Sequence, residues 1–379
     1  MRASLISAAL VAALVGYGGT IALVLAAAAA LGATPAQTLS WVLAISLAKA
    51  AGSALLSSWT RMPVVLAWST PGAALIAGSQ GIGMAQGAGA FLFASALILA
   101  TGAVRPLGRL IAAIPDPIAA AMLGGVLLPF CLRVPQEAAA APALVLPIVA
   151  VFLAVRLWRP VYAVIAALAA GLALALAQGA GWPAAGGIAR LTFVAPEFSA
   201  PVLLGLGLPL YLVTMASQNL PGFAILRAAG YEPPVARALT VTGGLSGLAA
   251  LFGAHPINMA AITAAICLGD EVHPDRAQRW KVGLAYAGVW VALGLFSPFV
   301  LALTAAMPGA LIATVAGLAL LTPLMGAAAA AFGPAEDRFA AIVTLVITAS
   351  GVAAFGIGAA FWGLMAGLAV HGLERLRRA

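Results

Sequence analysis

The chain has 379 residues, of which 64% are hydrophobic and only 7% are charged, and its formal net charge is +8. Soluble domains carry about 25% charged residues, so a chain this poor in charge cannot cover a water-facing surface. Its cations stand singly or in pairs between apolar runs, without a basic stripe. The composition excludes a soluble enzyme, a disordered chain and a nucleic-acid-binding protein, and it predicts a polytopic membrane protein.

Long apolar stretches follow one another along the whole chain. A bilayer core of roughly 30 Å needs about 20 apolar residues per helix. Charges, prolines and polar clusters divide these stretches into about fourteen segments. The sequence therefore predicts an all-α fold with about fourteen transmembrane segments. The predicted segments are 4–32, 37–59, 62–80, 85–104, 109–132, 141–157, 160–178, 201–227, 235–252, 254–268, 279–303, 306–331, 337–354 and 356–373.

The cationic residues provide an independent test of this division. If the N-terminus is cytoplasmic and the segments alternate in direction, fifteen of the 18 Lys and Arg residues fall on the cytoplasmic side. Only Arg133 and Arg190 fall outside, and Lys49 lies within segment 2. The positive-inside rule therefore supports the division and predicts that both termini are cytoplasmic.

Two pairs of similar sequences indicate an internal duplication. Residues 114–128 are similar to 307–321, at an offset of 193, and residues 68–76 are similar to 253–262, at an offset of 185. Each half then has seven segments, and an odd number forces the second half to enter the membrane from the opposite side. This predicts an inverted repeat, which is typical of secondary transporters. Chance similarity between alanine-rich helices is the alternative.

Segments 3 and 10 each contain a polar step next to a proline. Ser or Thr before Pro is typical of a helix N-terminus. We therefore expect one half-helix to begin near Ser69 and another near Pro256 to Asn258, crossing at mid-membrane. Two such N-termini form an anion site without a fixed cation. A proline kink repaired by hydroxyl groups is the alternative.

Polar residues also interrupt segment 8, where Thr214 to Gly222 includes Gln218 and Asn219. Polar groups at this depth are costly unless they face protein or water. Their amides predict substrate contact, and interhelical hydrogen bonding is the alternative. Tyr17 in segment 1 and Trp68 beside the break in segment 3 are candidates for stacking on a ligand.

Two titratable residues are predicted at mid-depth. His255 either carries a coupled proton or is a neutral hydrogen-bonding residue. Lys49 lies too far along its helix to snorkel to the membrane surface, and no Asp or Glu falls clearly mid-segment to pair with it. It either balances a substrate carboxylate or is neutral and bonded to carbonyl groups. The predicted substrate-binding residues are Tyr17, Trp68, Ser69, Thr70, Gly72, Gln218, Asn219, His255 and Asn258, and the predicted proton-coupling residues are His255 and Lys49.

Motifs for other chemistries are absent. The chain has no phosphate-binding loop of the G-x-x-x-x-G-K-[ST] type, no H-E-x-x-H and no G-x-S-x-G, so neither ATP hydrolysis nor an enzyme activity is predicted. Asp270 to Asp275 contains acidic residues and a histidine, but nearby arginines neutralise the group. No metal and no cofactor are expected.

Several motifs resemble the benzoate/proton symporter (BenE) family. They are Ala67-Trp-Ser-Thr-Pro-Gly-Ala-Ala-Leu75, Thr214-Met-Ala-Ser-Gln-Asn-Leu-Pro-Gly222, Ala260-Ala-Ile-Thr-Ala-Ala-Ile-Cys267, His273-Pro-Asp275 with Arg279-Trp280, and Ala359-Ala-Phe-Trp-Gly363. The resemblance implies uptake of benzoate or a related aromatic carboxylate with protons at a bacterial inner membrane.

The fourteen-segment plan is more distantly similar to the uracil/xanthine permease and sulfate-transporter fold. That resemblance implies a core domain made of residues 1–105 and 199–304, and a gate domain made of residues 106–198 and 305–379. Permeases of that fold use membrane-embedded glutamates for proton coupling. This chain has Gln218 and Asn219 in the corresponding segment, so that proton mechanism does not carry over.

The sequence therefore predicts a secondary transporter for a small aromatic carboxylate. A uniporter, exchanger or channel for another small anion on the same fold is the alternative. The predicted partners are the carboxylate, protons and the lipid bilayer, together with a second copy of the chain that forms a homodimer through the gate domain.

Overall fold

The computed structural model describes residues 2–104, 114–179, 187–260, 262–270, 272–352, 354–355 and 357–378. Residues 109–113, which begin the fifth predicted segment, lie outside them, as does Arg105. The first half contains α1 (Ala3–Ala30), α2 (Pro35–Thr60), β1 (Leu66–Trp68), α3 (Thr70–Ala77), α4 (Met84–Ala103), α5 (Asp116–Ala140), α6 (Pro142–Trp158) and α7 (Ala163–Ala177). The second half contains α8 (Ala200–Arg227), α9 (Val235–Ala250), β2 (Ile257–Met259), α10 (Ile262–Leu268), α11 (Lys281–Leu295), α12 (Ser297–Ala305), α13 (Gly309–Phe332), α14 (Arg338–Ala349) and α15 (Ala359–Arg378).

The elements of the first half recur in the same order in the second half, where the bent pair α11 and α12 corresponds to α4. The two strands begin 191 residues apart (66 and 257), and α5 and α13 begin 193 residues apart (116 and 309). Helix packing shows the same relationship, because α2 packs on α11 while their counterparts α9 and α4 pack on each other. The all-α inverted repeat is confirmed. The 185-residue offset was wrong, because the counterpart of Trp68 lies in β2 and not at Gly253.

Length and composition separate complete spans from partial ones. Within the described ranges, five helices are long and apolar enough to cross a membrane, namely α2, α4, α5, α8 and α13, and the number rises to seven if each of two bent helix pairs is one span. The half-helices α3 and α10 are far shorter than a span. These short elements mark the place where the backbone changes from strand to helix inside the protein.

The two broken segments cross through a short antiparallel pair of strands. β1 pairs with β2 so that Leu66 lies opposite Met259 and Trp68 lies opposite Ile257. The Ser69 N–H donates to the Pro256 carbonyl at 3.1 Å, which extends the pairing. Non-helical backbone survives at this depth only where its polar groups have partners. The predicted crossing is confirmed, and the strand pair is what makes it possible.

Of the two predicted half-helix starts, the structure confirms the first and not the second. α3 begins at Thr70 with Ser69 as its N-cap, whose side chain accepts from the Gly72 N–H, as predicted. The predicted start of the second half-helix at Pro256 to Asn258 was wrong, because residues 257–259 form β2 and the described part of α10 begins at Ile262. Pairing with β1 holds these residues extended, and this overrides the local helix signal of the proline.

Small residues allow the symmetric helix pairs to approach closely. At the α4–α9 contact, a Cβ added to Gly243 would lie 2.5 Å from the backbone nitrogen of Leu99, and one added to Gly102 would lie 2.8 Å from that of Thr240. Close backbone approach through glycine is the usual basis of helix association in membranes. Separately, α6, α7 and α13 share their own hydrophobic cluster around Ile148, Phe152 and Leu311, apart from the main core.

Candidate functional site

An internal cavity of about 320 Å³ lies beside the crossing of the two broken segments. One part of the lining comes from α1, α2, β1, the start of α3, α8, α10 and α11, and the other part comes from α6, α7 and α13. Most of the lining is apolar, and a few polar side chains converge on it. Ligand sites in proteins have this size and character, and in helical membrane proteins they lie between helices in this way.

Lys49 lies at this cavity and is 1% exposed. Its ammonium nitrogen is 2.9 Å from the centroid of the Trp290 ring and 4.0 Å from that of Trp68. Within the described residues it has no hydrogen bond and no ion pair. Burying an unpaired ammonium costs several kcal/mol, whereas a desolvated cation–π contact returns about 2 kcal/mol. The two rings offset part of the cost, and no carboxylate among the described residues supplies a counter-charge.

The N-terminus of α3 provides fewer free donors than a helix start usually offers. Ser69 occupies the Gly72 N–H, and Pro71 has no N–H to give. Among the described residues of this first turn, Thr70 keeps an N–H group without a partner, and its side chain lines the cavity. The positive end of the helix dipole still favours an anion here, and the basic side chain of Lys49 lies at the same cavity.

Aromatic side chains form one side of the site. The Trp290 ring centroid lies 5.1 Å from that of Trp68 and 5.9 Å from that of Tyr286. The indole N–H of Trp68 donates to the Thr20 hydroxyl at 2.6 Å, and Thr20 donates to the Gly16 carbonyl. These bonds fix the Trp68 ring, which lines the cavity together with Tyr286. The arrangement suits a flat apolar ligand with one charged end.

A π-helical turn in α8 contains two neighbouring amide side chains, those of Gln218 and Asn219. The turn covers Met215–Asn219, and π-turns frequently occur at functional sites. Gln218 lines the cavity and has no hydrogen-bond partner within the described residues. Asn219 is fully buried and accepts from the Met259 N–H at 2.9 Å. Gln218 is therefore available to a ligand, whereas Asn219 secures β2 to α8.

The predicted site residues fall into two groups. Trp68, Thr70, Gln218 and Lys49 line the cavity. Those behind the lining are Tyr17, Ser69, Gly72, Asn219, His255 and Asn258. Oriented so that both of its polar atoms have partners, the Asn258 amide accepts from the Ser69 N–H at 2.9 Å, sharing that donor with the Pro256 carbonyl, and donates to the Met259 carbonyl. The second group supports the wall from behind.

His255 and Tyr17 show how this supporting group is built. The His255 Nδ1 atom accepts from the Trp41 indole N–H at 2.9 Å, and its Nε2 atom has no partner in the described residues. Tyr17 packs against Trp68 and Trp290, with ring centroids 5.8 and 5.7 Å away. Neither residue lines the cavity, so their direct contact with a ligand stays a prediction that the geometry does not favour.

Several lining residues were not predicted from the sequence. Thr20, Thr263 and Tyr286 face the cavity from α1, α10 and α11. Arg156 lines its far end, where its guanidinium donates to Thr322 at 2.8 Å. The i, i+4 spacing of Tyr286 and Trp290 was a usable signal for an aromatic face. The single threonines carried no signal, because hydroxyl groups are common in membrane helices.

Comparison with known proteins assigns the chain to a family. Residues 1–373 match the BenE family, described as benzoate membrane transport protein. The inner membrane protein YdcO of Escherichia coli is 42% identical over 364 residues, covering 95% of this chain and 93% of the relative. The benzoate membrane transport protein of Acinetobacter baylyi is 32% identical over 367 residues, covering 96% of this chain and 93% of the relative.

Solved structures show the same fold at low sequence identity. The transmembrane domain of the cyanobacterial bicarbonate transporter BicA matches with a TM-score of 0.64 at 15% identity, over 97% of this chain and 98% of that one. SLC26A9 matches with a TM-score of 0.62 at 12% identity, over 98% of this chain and 66% of that one. With the family match over nearly the full length, these findings show that the chain is a membrane transporter and belongs to the BenE family.

Proposed function

We propose that the chain imports benzoate or a related aromatic carboxylate together with protons. One observation carries the proposal, namely that a mostly apolar cavity brings together Lys49, Thr70 at the start of α3 and the aromatic side chains of Trp68 and Tyr286. The lysine and the helix dipole suit a carboxylate, and the rings suit an aromatic body. The name of the Acinetobacter baylyi relative supports the same substrate class.

Protons make import of the anion favourable. Benzoate is almost entirely anionic at neutral pH, and a negative-inside membrane opposes entry of each negative charge by about 2.3 kcal/mol per 100 mV. One co-transported proton cancels that charge, so an inward pH gradient drives accumulation. We place the chain in a bacterial inner membrane, which the name of the Escherichia coli relative supports.

The two walls of the cavity suggest how the site is exposed to each side in turn. We propose that residues 1–105 and 199–304 move as a core domain against a gate domain of residues 106–198 and 305–379. The separate hydrophobic cluster of α6, α7 and α13 supports this division. Arg156, which belongs to the gate domain of this proposal, lines the cavity, and the charge asymmetry of the sequence supports a cytoplasmic position for this end.

Uptake and counterflow in proteoliposomes test the proposal. Vesicles containing the purified protein should accumulate labelled benzoate when an inward pH gradient is imposed. Unlabelled benzoate inside should then speed entry of the labelled compound, because a carrier exchanges its substrate. A uniporter, exchanger or channel for another anion on this fold is the alternative, and it is favoured if the pH gradient has no effect or trans-stimulation is absent.

A further inference from the structure

We propose that Lys49 carries the co-transported proton, and that it binds this proton only when the substrate carboxylate occupies the cavity beside it. The inference deepens the proposed transport function and rests on it. In the empty carrier Lys49 is a neutral amine packed between aromatic rings. In the loaded carrier it is an ammonium group paired with the carboxylate, so the loaded site gains no net charge.

The surroundings of Lys49 carry this inference. The side chain is 1% exposed, and its nitrogen lies against the faces of Trp68 and Trp290. Lys49 is one of the residues that line the cavity. A buried ammonium without a counter-ion is strongly disfavoured, and bringing a carboxylate into the cavity reverses that balance. Anion binding and proton binding at this position therefore depend on each other.

Other charged groups do not replace the substrate as partner of Lys49. The elements packed against α2 are α1, β1, α9, β2, α11 and α12, and none of them carries an Asp or Glu residue. Their titratable side chains nearest mid-helix are Tyr17 and Tyr286, and phenols stay neutral near pH 7. Arg237 and Lys281 stand in the first turns of α9 and α11.

His255, which immediately precedes β2, is the remaining titratable group near the crossing. Its Nδ1 atom is occupied by the Trp41 indole N–H, and the residue does not line the cavity. A proton bound at His255 would have no direct contact with the substrate. We therefore place the coupled proton on Lys49 and not on His255, the other proton-coupling residue predicted from the sequence.

Protonation and deprotonation of Lys49 alone balance the charge over the transport cycle. From the outside, the amine of Lys49 takes up one proton as the carboxylate enters, and the ammonium–carboxylate pair forms. On the inside, the carboxylate leaves and the proton follows it into the water. The carrier returns with a neutral amine, so neither half of the cycle moves net charge through the membrane.

Binding calorimetry of the wild-type protein is the first test. Benzoate is titrated near pH 7.5 in two buffers with different ionisation enthalpies, and the difference in heat gives the protons taken up. We expect roughly one proton per benzoate, and an apparent Kd that rises about tenfold per pH unit above neutrality. Benzamide, the neutral counterpart of benzoate, should bind without proton uptake.

Variants of Lys49 form the second test. Lys49→Arg carries a permanent charge, so it should bind benzoate without proton uptake, and its transport should become sensitive to membrane potential. Lys49→Met should bind benzoate at least tenfold more weakly, also without proton uptake. Lys281→Met is the matched control, because Lys281 is the other lysine of the chain and lies outside the cavity, and it should behave as wild type.

The outcomes separate this inference from the proposed function. If wild-type protein binds and accumulates benzoate without proton uptake on binding, the role of Lys49 is overturned while transport stands. The same holds if Lys49→Met or Lys49→Arg still takes up a proton. If wild-type protein neither binds nor transports benzoate, the proposed function fails, and the inference fails with it.

Discussion

The ammonium nitrogen of Lys49 lies 2.9 Å from the centre of the Trp290 ring, deep between helices α2 and α11. Trp290 is itself fully buried and contacts Tyr17, Trp68 and Tyr286. The side-chain nitrogen at this site therefore lies against aromatic faces and not beside a carboxylate. Aromatic faces stabilise a positive charge without neutralising it, so an ammonium formed here on substrate binding stays available to the carboxylate.

The contact between Trp290 and Lys49 predicts the effect of replacing the indole. Trp290→Phe keeps an aromatic ring, but phenyl binds a cation less strongly than indole does. We expect benzoate affinity at pH 7.5 to fall about two- to fivefold, equivalent to about 0.5–1 kcal/mol. Isothermal calorimetry measures it, and Trp158→Phe, at a position 86% exposed, is the control. Equal affinities in the two variants would show that the ring does not support the charge.

The neighbouring amides of α8 should respond differently to the same substitution. Gln218→Ala should weaken benzoate binding about ten- to a hundred-fold, because a hydrogen bond to a charged ligand contributes roughly 1.5–3 kcal/mol. Its thermal stability should stay near wild type. Asn219→Ala should instead lower the free energy of unfolding by about 1–3 kcal/mol, because the buried Met259 N–H loses its acceptor. The reverse pattern would contradict the assigned geometry.

Gly72 within α3 and Gly78 at its C-cap make a matched pair. A Cβ added to Gly72 would lie 2.7 Å from the Ser69 Oγ atom and 2.5 Å from a methyl group of Leu210, whereas one added to Gly78 meets only ordinary contacts. Gly72→Ala should therefore displace the N-cap and destabilise the protein by about 1–3 kcal/mol, and Gly78→Ala should have little effect. Thermal unfolding in detergent measures both, and equal stability would argue against the tight packing.

A double-mutant cycle tests the buried bond between His255 and Trp41. His255→Leu leaves the Trp41 indole N–H without its acceptor, which should cost about 1–3 kcal/mol of stability. Trp41→Phe removes the indole N–H that His255→Leu leaves without an acceptor. The double variant should therefore lose less stability than the sum of the losses in the two single variants. The measurement is the thermal midpoint of the four proteins. Simple additivity would indicate that the hydrogen bond contributes nothing.

Arg156 at the end of the cavity should attract the anion toward the site and so strengthen benzoate binding at low ionic strength. Arg156→Gln should weaken benzoate binding about two- to fivefold at low ionic strength, because the guanidinium attracts anions over several ångströms. The difference should disappear near 1 M salt, where the Debye length is about 3 Å. Arg159→Gln changes an exposed arginine three residues away, outside the lining, and serves as the control. An effect that persists in high salt would point to direct binding.

Hydropathy and charge predicted the helices well because the bilayer imposes a local rule on each span. The sixth segment, predicted as 141–157, is Pro142–Trp158 in the structure. The start of α3 was also predictable, since N-cap chemistry depends only on Ser69 and its neighbours. Strand β2 was not, because Ile257 to Met259 are extended only through pairing with residues almost half the chain away.

The site was harder to predict than the fold. The sequence marked Lys49 as buried and unpaired but left its role open, because only the packing of α2 against α11 and β1 shows that it meets the cavity. Gln218 and Asn219 looked equivalent, since neither residue type nor helical spacing reveals a π-turn. In the structure Gln218 lines the cavity, whereas Asn219 accepts from the Met259 N–H.

The strand pair at the crossing also constrains how the protein is made. β1 finds its hydrogen-bonding partner only when β2, which begins 191 residues later, has been synthesised. At about 5–20 residues per second, the ribosome needs roughly 10 to 40 s to reach that point. During this interval the backbone of Leu66 to Trp68 lacks its native hydrogen-bond partners. The first half of the transporter therefore cannot complete its native fold before β2 has been synthesised.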